Sequence, residues 1–173
     1  MMVGSLKRKA LIAVCAATAA AALAYGVLRS VAGPEVIPPT AYTLLNGTPA
    51  HTAQLTGRVV LVNFWATSCA VCLQEMPDLV ATHARFKARG FETLAIAMTY
   101  DPPINVVRYT ETNALPFQVA IDHDGSLAER FGKVVATPTS VLINQRGEIV
   151  ERHVGRLDFV ALNASIERLL TQR

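Results

Sequence analysis

Two cysteines three positions apart, Cys69 and Cys72, are the residues of this chain most suited to chemistry. The only other cysteine, Cys15, lies in an N-terminal apolar stretch, so any disulfide in the rest of the chain must join these two. A bridge across so short a loop stabilises a fold by only about 2 kcal/mol, which makes it a poor structural crosslink. The spacing therefore favours reversible thiol–disulfide chemistry.

The order of the two cysteines predicts a division of roles. If Cys69 caps or begins a helix, the positive end of the helix dipole stabilises its thiolate and makes it a nucleophile. Cys72, one turn further along, then resolves the mixed disulfide that Cys69 forms. Two structural interpretations stay open, a zinc half-site and a pair of inert core thiols. Because the four histidines are scattered singly, we predict no metal site and no cofactor.

A strand and a helix must hold this cysteine pair in place. Residues 59 to 64 form a continuous apolar run, which is typical of a strand buried on both faces of a sheet. After the cysteines, apolar residues recur at helical spacing as far as Arg89, and Pro77 inside this run predicts a kink in the helix. The motif is therefore predicted at a strand-to-helix junction, with His83 as a core histidine of that helix.

The remaining pattern predicts a mixed α/β fold. Strands are predicted at 91–98, 117–121, 140–143 and 148–153, and helices near 101–113, at 126–131 and after Asp158. Ser126 and Glu129 have the spacing of a capping box, and residues 144 to 147 predict a hairpin turn between antiparallel strands. Parallel βαβ units followed by an antiparallel ending are therefore expected.

An uncharged stretch at residues 10 to 28 follows Lys7, Arg8 and Lys9, and it predicts an export segment. Its nineteen residues would form about 28 Å of helix, close to the ~30 Å hydrocarbon core of a bilayer. We expect residues 1–30 to be an uncleaved anchor, the alternative being a signal peptide whose removal would leave a secreted periplasmic protein. The basic residues before the stretch predict a cytoplasmic N-terminus and an exported remainder.

The charge of the remaining chain argues against a nucleic-acid partner. Four of the 16 Lys and Arg residues flank the apolar stretch, which leaves 12 against all 13 Asp and Glu residues, a net charge of about −1. Residues 31–39 are rich in Pro and Gly and predict a stiff tether. Residues 40–173 have the usual length of one domain.

The motifs together resemble a known superfamily. A CxxC pair between a buried strand and a helix, a Thr137-Pro138 step before the penultimate strand, and a closing hairpin and helix resemble the thioredoxin superfamily. More narrowly, the stretch from Trp65 to Pro77 is similar to the motif of the membrane-anchored TlpA/ResA/CcmG-like thioredoxins. The resemblance covers about residues 40 to 168. It implies a thioredoxin-like α/β fold, a central mixed sheet flanked by helices, with an extra helix between the CxxC helix and the cis-proline.

The resemblance also implies roles for individual residues. Pro138 matches the cis-proline that faces the CxxC pair, and the backbone of Thr137 would pair with an extended client segment. Trp65 would pack beside the motif. Glu75 matches an acidic residue near the thiols; if it is buried, its pKa rises and it would take the proton from Cys72 during resolution. The alternative for Glu75 is a solvated carboxylate in the first helical turn.

The resemblance to this branch also implies a location and a set of partners. They are exported and tethered to the inner membrane, face the periplasm, and mostly act as reductants, including for the haem-attachment cysteines of cytochrome c. The expected partners are thus protein thiol or disulfide clients and a membrane electron donor, because a dithiol in an oxidising compartment needs a source of electrons. Two positions depart from the commoner pattern, Ser68 in place of Trp and Val71 in place of Pro. An Ala-Val pair between the cysteines offers no polar side chain to stabilise a thiolate, which favours a reductant.

Two alternative functions fit the sequence less well. A copper-binding chaperone would use the paired thiolates as a soft ligand set. Copper chaperones of this fold typically separate their cysteines by three residues, and His123 is only a remote candidate for a third ligand. A thiol peroxidase would need a Pro-x-x-x-Thr-x-x-Cys motif, which the stretch ending at Cys69 lacks. The sequence therefore predicts a membrane-tethered thiol–disulfide oxidoreductase.

Overall fold

The computed structural model describes residues 14, 17, 18, 20–25 and 33–172. The chain divides into two units, Met1–Pro34 and Glu35–Arg173, and the described residues of the first unit up to Tyr25 are helical and exposed. Within the described part of the chain, no helix is both long and apolar enough to cross a bilayer. Most of the anchor predicted at residues 1–30 lies outside the described residues, so the anchor stays a prediction.

The second unit is built on a mixed sheet. Its strands are β1 Ala41–Thr43, β2 Pro49–His51, β3 Val59–Trp65, β4 Phe91–Ala97, β5 Gln118–Ile121, β6 Thr139–Ile143 and β7 Ile149–Val154. Its helices are α1 Ala70–Phe86, α2 Pro103–Thr112, α3 Ser126–Arg130 and α4 Phe159–Thr171. The strand order of the main sheet is β5-β4-β3-β6-β7, with β3, β4 and β5 parallel and with β6 and β7 antiparallel to their neighbours. The predicted mixed sheet, parallel first and antiparallel at the end, is confirmed.

The central strand β3 forms part of two cores, one on each face of the sheet. All seven of its residues are buried, as are those of the parallel neighbour β4, because both lie between layers. Leu61 and Trp65 belong to the core that α1 and α4 cover, whereas Val62 and Phe64 belong to the core that contains Phe131. Successive side chains of a strand point to opposite faces, which explains the alternation.

The short hairpin of β1 and β2 was not predicted from the sequence. Each strand has three residues and most of them are exposed or half-buried, so the sequence shows neither a continuous apolar run nor a clean alternation. A 3₁₀ turn, Thr52–Leu55, follows. The backbone N–H of Leu45 donates to the carbonyl of Val119 at 2.7 Å, which fastens the loop of the hairpin to β5.

The predicted capping box at the start of α3 is wrong. Gly125, not Ser126, precedes the first helical turn, and its φ of 76° places it in the left-handed region. The first-turn N–H groups of Leu127 and Ala128, both buried residues, instead donate to the buried carboxylate of Asp122, at 3.0 and 2.9 Å. An aspartate outside the usual capping spacing therefore supplies the hydrogen-bond acceptors for the N–H groups at this helix end.

The other helices lie where the sequence predicted them. Helix α1 runs without interruption through Pro77, and α4 begins after Asp158, whose carboxylate accepts hydrogen bonds from the next helical N–H groups. Helix α2 occupies Pro103–Thr112, between β4 and β5. That α2 is an addition relative to plain thioredoxins stays an implication of the resemblance.

Candidate active site

The two cysteines lie at the junction between β3 and α1, and they form a disulfide with their Cα atoms 5.2 Å apart. Cys69 is the N-cap of α1, and its Sγ accepts a hydrogen bond from the backbone N–H of Cys72 at 3.2 Å. Cys69 is half-buried, whereas Cys72 is buried in the core beneath the helix. Cys69 is thus the sulfur that a reactant reaches first, and it sits at the positive end of the helix dipole.

Glu75 is buried rather than solvated, with only 1 % of its surface exposed. One carboxylate oxygen, Oε1, accepts a hydrogen bond from the backbone N–H of Leu157, whereas Oε2 has no partner within residues 33–172. Burial raises the pKa of Glu75, and it outweighs the opposing effects of the Leu157 N–H and of the nearby Arg156 and His153. A carboxyl with a raised pKa is a stronger base than an exposed glutamate, and this one lies one turn beyond Cys72.

The segment that buries Glu75 comes from the far end of the domain. At the end of β7, the Nε2 atom of His153 lies 2.6 Å from the carbonyl oxygen of Arg156, which closes a turn. The Arg156 guanidinium reaches Gln74 on the first turns of α1, at 3.5 Å. This turn directs the Leu157 N–H towards Glu75. Nothing in the local sequence around Glu75 indicates these contacts, since they join residues 82 positions apart.

Thr137 and Pro138 lie at the same end of the sheet as the disulfide. The Thr137-Pro138 peptide bond is cis, as the resemblance implied. Thr139, the first residue of β6, pairs with Phe64 near the end of β3, so the step before it lies close to the β3–α1 junction. Pro138 is buried and Thr137 is half-buried. The structure thus brings this step and the cysteines together, and its role in client binding stays a prediction.

Trp65, the last residue of β3, lies under the motif rather than on its surface. Its side chain is fully buried in the core that includes Cys72, and its ring centroid is 5.3 Å from that of Tyr109 on α2. Its indole Nε1 has no hydrogen-bond partner in the described part of the second unit. A fully buried ring offers no surface to a client, and the supporting role predicted for Trp65 in client binding stays a prediction.

Two functional candidates, Tyr100 and Asp101, were missed by sequence reasoning. Both lie in the loop between β4 and α2, which the sequence indicated only as a helix start. The carboxylate of Asp101 accepts hydrogen bonds from the backbone N–H of Thr67 at 2.6 Å and from its hydroxyl at 2.5 Å. The Tyr100 hydroxyl lies 3.1 Å from the Oγ1 atom of Thr137. The contacts span 34 and 37 residues, so no local motif could have indicated them.

The remaining candidate chemistry concerns metals. Across residues 33–172 and the few described before them, no group of three His, Cys, Asp or Glu side chains has a geometry that could hold a metal ion. His123, the remote third ligand of the copper alternative, therefore joins no such group there.

Comparison with known proteins gives the family. The Redoxin family model matches residues 31–166. A thiol-disulfide oxidoreductase ResA from Halalkalibacterium halodurans is 33% identical over 64% of this chain and 62% of its own length, so the match spans less than two thirds of that relative. Another protein of that name, from Bacillus cereus, is 30% identical over 73% of this chain and 72% of its own.

Solved structures are similar over a larger share of the chain. The crystal structure of a thiol:disulfide interchange protein of the thioredoxin family from Chlorobium tepidum superposes with a TM-score of 0.73 at 28% identity, covering 80% of this chain and 98% of that one. A Neisseria meningitidis protein solved in solution gives a TM-score of 0.75 at 36% identity, covering 81% and 93%. The chain therefore belongs to the Redoxin family, as a ResA-like member with a thioredoxin fold.

Proposed function

We propose that this protein is a thiol–disulfide oxidoreductase that reduces disulfides of client proteins through Cys69 and Cys72. The observation that carries the proposal is the Cys69–Cys72 disulfide at the start of α1, with Cys69 half-buried and in contact with the Cys72 N–H. A disulfide at a helix N-terminus suits reversible exchange better than crosslinking. The names of the ResA relatives support the same activity.

The reaction begins with the reduced pair. The Cys69 thiolate attacks one sulfur of a client disulfide, so that the client S–S bond breaks, a mixed disulfide forms and the other client sulfur leaves as a thiolate. The thiol of Cys72 then gives its proton to Glu75 and attacks Sγ of Cys69. This step re-forms the Cys69–Cys72 disulfide and releases the second client sulfur. Two electrons pass from the cysteine pair to the client, and a separate donor restores the dithiol.

The two sulfurs differ in the way this sequence of steps requires. At the N-cap of α1, Cys69 has both the helix dipole and the Cys72 N–H to stabilise its thiolate. Cys72 is buried among apolar side chains, an environment that opposes ionisation, so it needs a base. Glu75 is such a base, because it is buried one turn further along α1 and has an unsatisfied oxygen among the described residues.

The finer proposal concerns where the protein works. Residues 10 to 28 are uncharged and follow three basic residues, which supports a single-pass inner-membrane anchor with the catalytic unit in the periplasm. In that compartment a membrane electron donor would keep the pair reduced, and cytochrome c haem-attachment cysteines would be one class of client. Fractionation of cells, followed by protease treatment of intact spheroplasts, tests the location. Recovery of the chain in the cytoplasmic fraction contradicts it.

Insulin reduction tests the activity. The purified full chain in mild detergent should accelerate the dithiothreitol-driven reduction of insulin, and Cys69→Ser should abolish the acceleration. Cys15→Ser is the matched control, because it removes the cysteine of the apolar stretch and should leave the rate unchanged. Cys72→Ser should accumulate a covalent mixed disulfide with insulin. An inactive wild type that binds Cu(I) tightly would instead support the copper chaperone.

A further inference from the structure

Two consecutive residues of the β4–α2 loop contact the two chain segments that flank the disulfide. Asp101 contacts Thr67, which lies between β3 and Cys69, and Tyr100 contacts Thr137, which precedes Pro138. Thr67 follows β3 and Thr137 precedes the neighbouring strand β6, and each is hydrogen-bonded to the same short loop. We call Tyr100 and Asp101 together the 100–101 bridge.

The Asp101 end of the bridge is buried and strongly bonded. Only 2 % of the Asp101 surface is exposed, and its two carboxylate oxygens take the N–H and the hydroxyl of Thr67, at 2.6 and 2.5 Å. The Asp101 N–H donates in turn to the carbonyl of Met98, the residue that follows β4, at 2.9 Å. Because a buried charge is costly unless it is hydrogen-bonded, and such bonds are strong, this contact fixes the backbone two residues before Cys69.

The Tyr100 end of the bridge is exposed. Tyr100 is 58 % exposed, and its hydroxyl lies 3.1 Å from Oγ1 of Thr137. Thr137 is the residue whose backbone is proposed to pair with the client. A tyrosine bonded to that residue can hold its position without covering it, since Thr137 itself stays half-buried.

We propose that the 100–101 bridge positions the Cys69 loop and the Thr137-Pro138 step relative to each other, so that a client segment paired at Thr137 presents its disulfide to Sγ of Cys69. The inference rests on the proposed function. Neither residue touches the sulfurs, so both are positioning residues. In thiol–disulfide exchange the attacking sulfur must be aligned with the disulfide bond that breaks. A misplacement of the reacting atoms by about 1 Å can lower the rate a hundredfold.

The two ends of the bridge predict different defects. Loss of the Asp101–Thr67 contact loosens the loop that carries Cys69, and this slows attack on any disulfide. Loss of the Tyr100–Thr137 contact leaves Cys69 in place but shifts the client-pairing segment. It therefore slows attack only on disulfides that are held by a peptide backbone. Removing one hydrogen bond of this kind is expected to lower the corresponding rate by roughly threefold to tenfold.

The experiment uses the full chain in a Cys72→Ser background, in which the reaction stops at the mixed disulfide and reports attack by Cys69 alone. Two probes are compared, bis(2-hydroxyethyl) disulfide and a short peptide with a disulfide. Asp101→Asn and Thr67→Val should slow both probes, and Thr67→Ser should restore the rates because it keeps the hydroxyl. Tyr100→Phe should slow only the peptide.

Double substitution and a control complete the design. Tyr100→Phe combined with Thr137→Val should be no slower than either single variant, because both remove the same contact. Tyr42→Phe is the matched control, since it removes a tyrosine hydroxyl that lies 3.4 Å from Gln118, in contact with β5. Its rates should equal those of the parent with both probes.

Several results would overturn the proposed role of the 100–101 bridge. Lower melting temperatures with unchanged rates would show a merely structural role, and equal slowing of both probes by Tyr100→Phe would exclude client positioning. Faster attack in Asp101→Asn with no change in Thr67→Val would show that the Asp101 charge acts through space. If the parent reacts with neither probe, the proposed function itself fails, which is a distinct outcome from failure of the bridge alone.

Discussion

The backbone N–H of Leu157 donates a hydrogen bond to the carboxylate of Glu75, although the two residues are 82 positions apart in the chain. That contact satisfies one oxygen, and the other has no partner in the described part of the domain. A single neutral donor does not offset the loss of water, so the pKa of Glu75 is raised by burial. The tertiary fold thereby gives α1 a buried carboxyl of raised pKa one turn beyond Cys72.

Glu75→Gln should slow the second step of the reaction. The amide cannot take the proton of Cys72, so the mixed disulfide should persist, with a release rate lower by about a hundredfold near pH 7. The rate of client release by the wild type should increase as the pH increases through the Glu75 pKa, because only the deprotonated carboxylate can accept the proton. The variant should lack this increase. Quenched-flow measurement of client release checks both. Glu111→Gln makes the same change on an exposed face of α2 and should behave as wild type; equal release rates in all three proteins would contradict the role of Glu75.

His83 should make the fold sensitive to acid. The ring is buried, Nδ1 lies 3.2 Å from the Thr93 hydroxyl, and burial lowers the pKa below 6.5 despite the neighbouring Glu92, with Lys87 acting in the same direction as burial. The unfolded chain therefore binds a proton at a pH where the folded chain does not. Stability conferred by the neutral ring is fully present above pH 6.5 and falls as pH drops, by up to about 1.4 kcal/mol per pH unit.

Urea unfolding at pH 8, 6 and 5 checks this dependence. His83→Gln keeps a group that can bond to Thr93 but does not titrate, so its free energy of unfolding should fall less between pH 8 and pH 5 than that of the wild type. The two proteins are compared by the slope of the free energy of unfolding against pH, because the substitution itself lowers that free energy at every pH. Parallel slopes in the two proteins would assign the acid sensitivity to other groups.

Asp122 should matter more for stability than Ser126, the residue of the predicted capping box. The Asp122 carboxylate is buried and accepts two helical N–H groups, so Asp122→Ala should lower the free energy of unfolding by about 1–3 kcal/mol. Ser126→Ala should change it by less than about 0.5 kcal/mol. Chemical denaturation of both variants decides the point, and a larger loss in Ser126→Ala would restore the capping box.

Val71→His should make the protein more oxidising. Val71 lies between the cysteines and is exposed, so an imidazole there would stand beside the Cys69 thiolate and stabilise the reduced form. We expect the wild-type potential nearer to about −270 mV than to −120 mV, and a rise of roughly 30 mV or more in the variant. Equilibration with glutathione measures both, with Val71→Leu as an apolar control. A variant potential at or below that of the wild type would refute the argument.

Sequence patterns were sufficient for the main elements and for the cysteine site. The apolar run of β3, the helical spacing after Cys72 and the turn at 144 to 147 each extend over neighbouring residues, so local periodicity predicts them. The hairpin of β1 and β2 escaped prediction because three-residue strands carry too little pattern. The cap at α3 escaped because Asp122 lies outside the spacing of known capping motifs.

The sequence by itself determined which residues could react: Cys69 and Cys72 at a strand-to-helix junction, with Glu75 one turn beyond. Only the tertiary structure decided the environment of those residues. Whether Glu75 is buried depends on Leu157, and how the Cys69 loop is held depends on Asp101, which reaches Thr67 across 34 positions. The types and the spacing of neighbouring residues fix local geometry, whereas burial and long-range hydrogen bonds exist only when distant segments pack together.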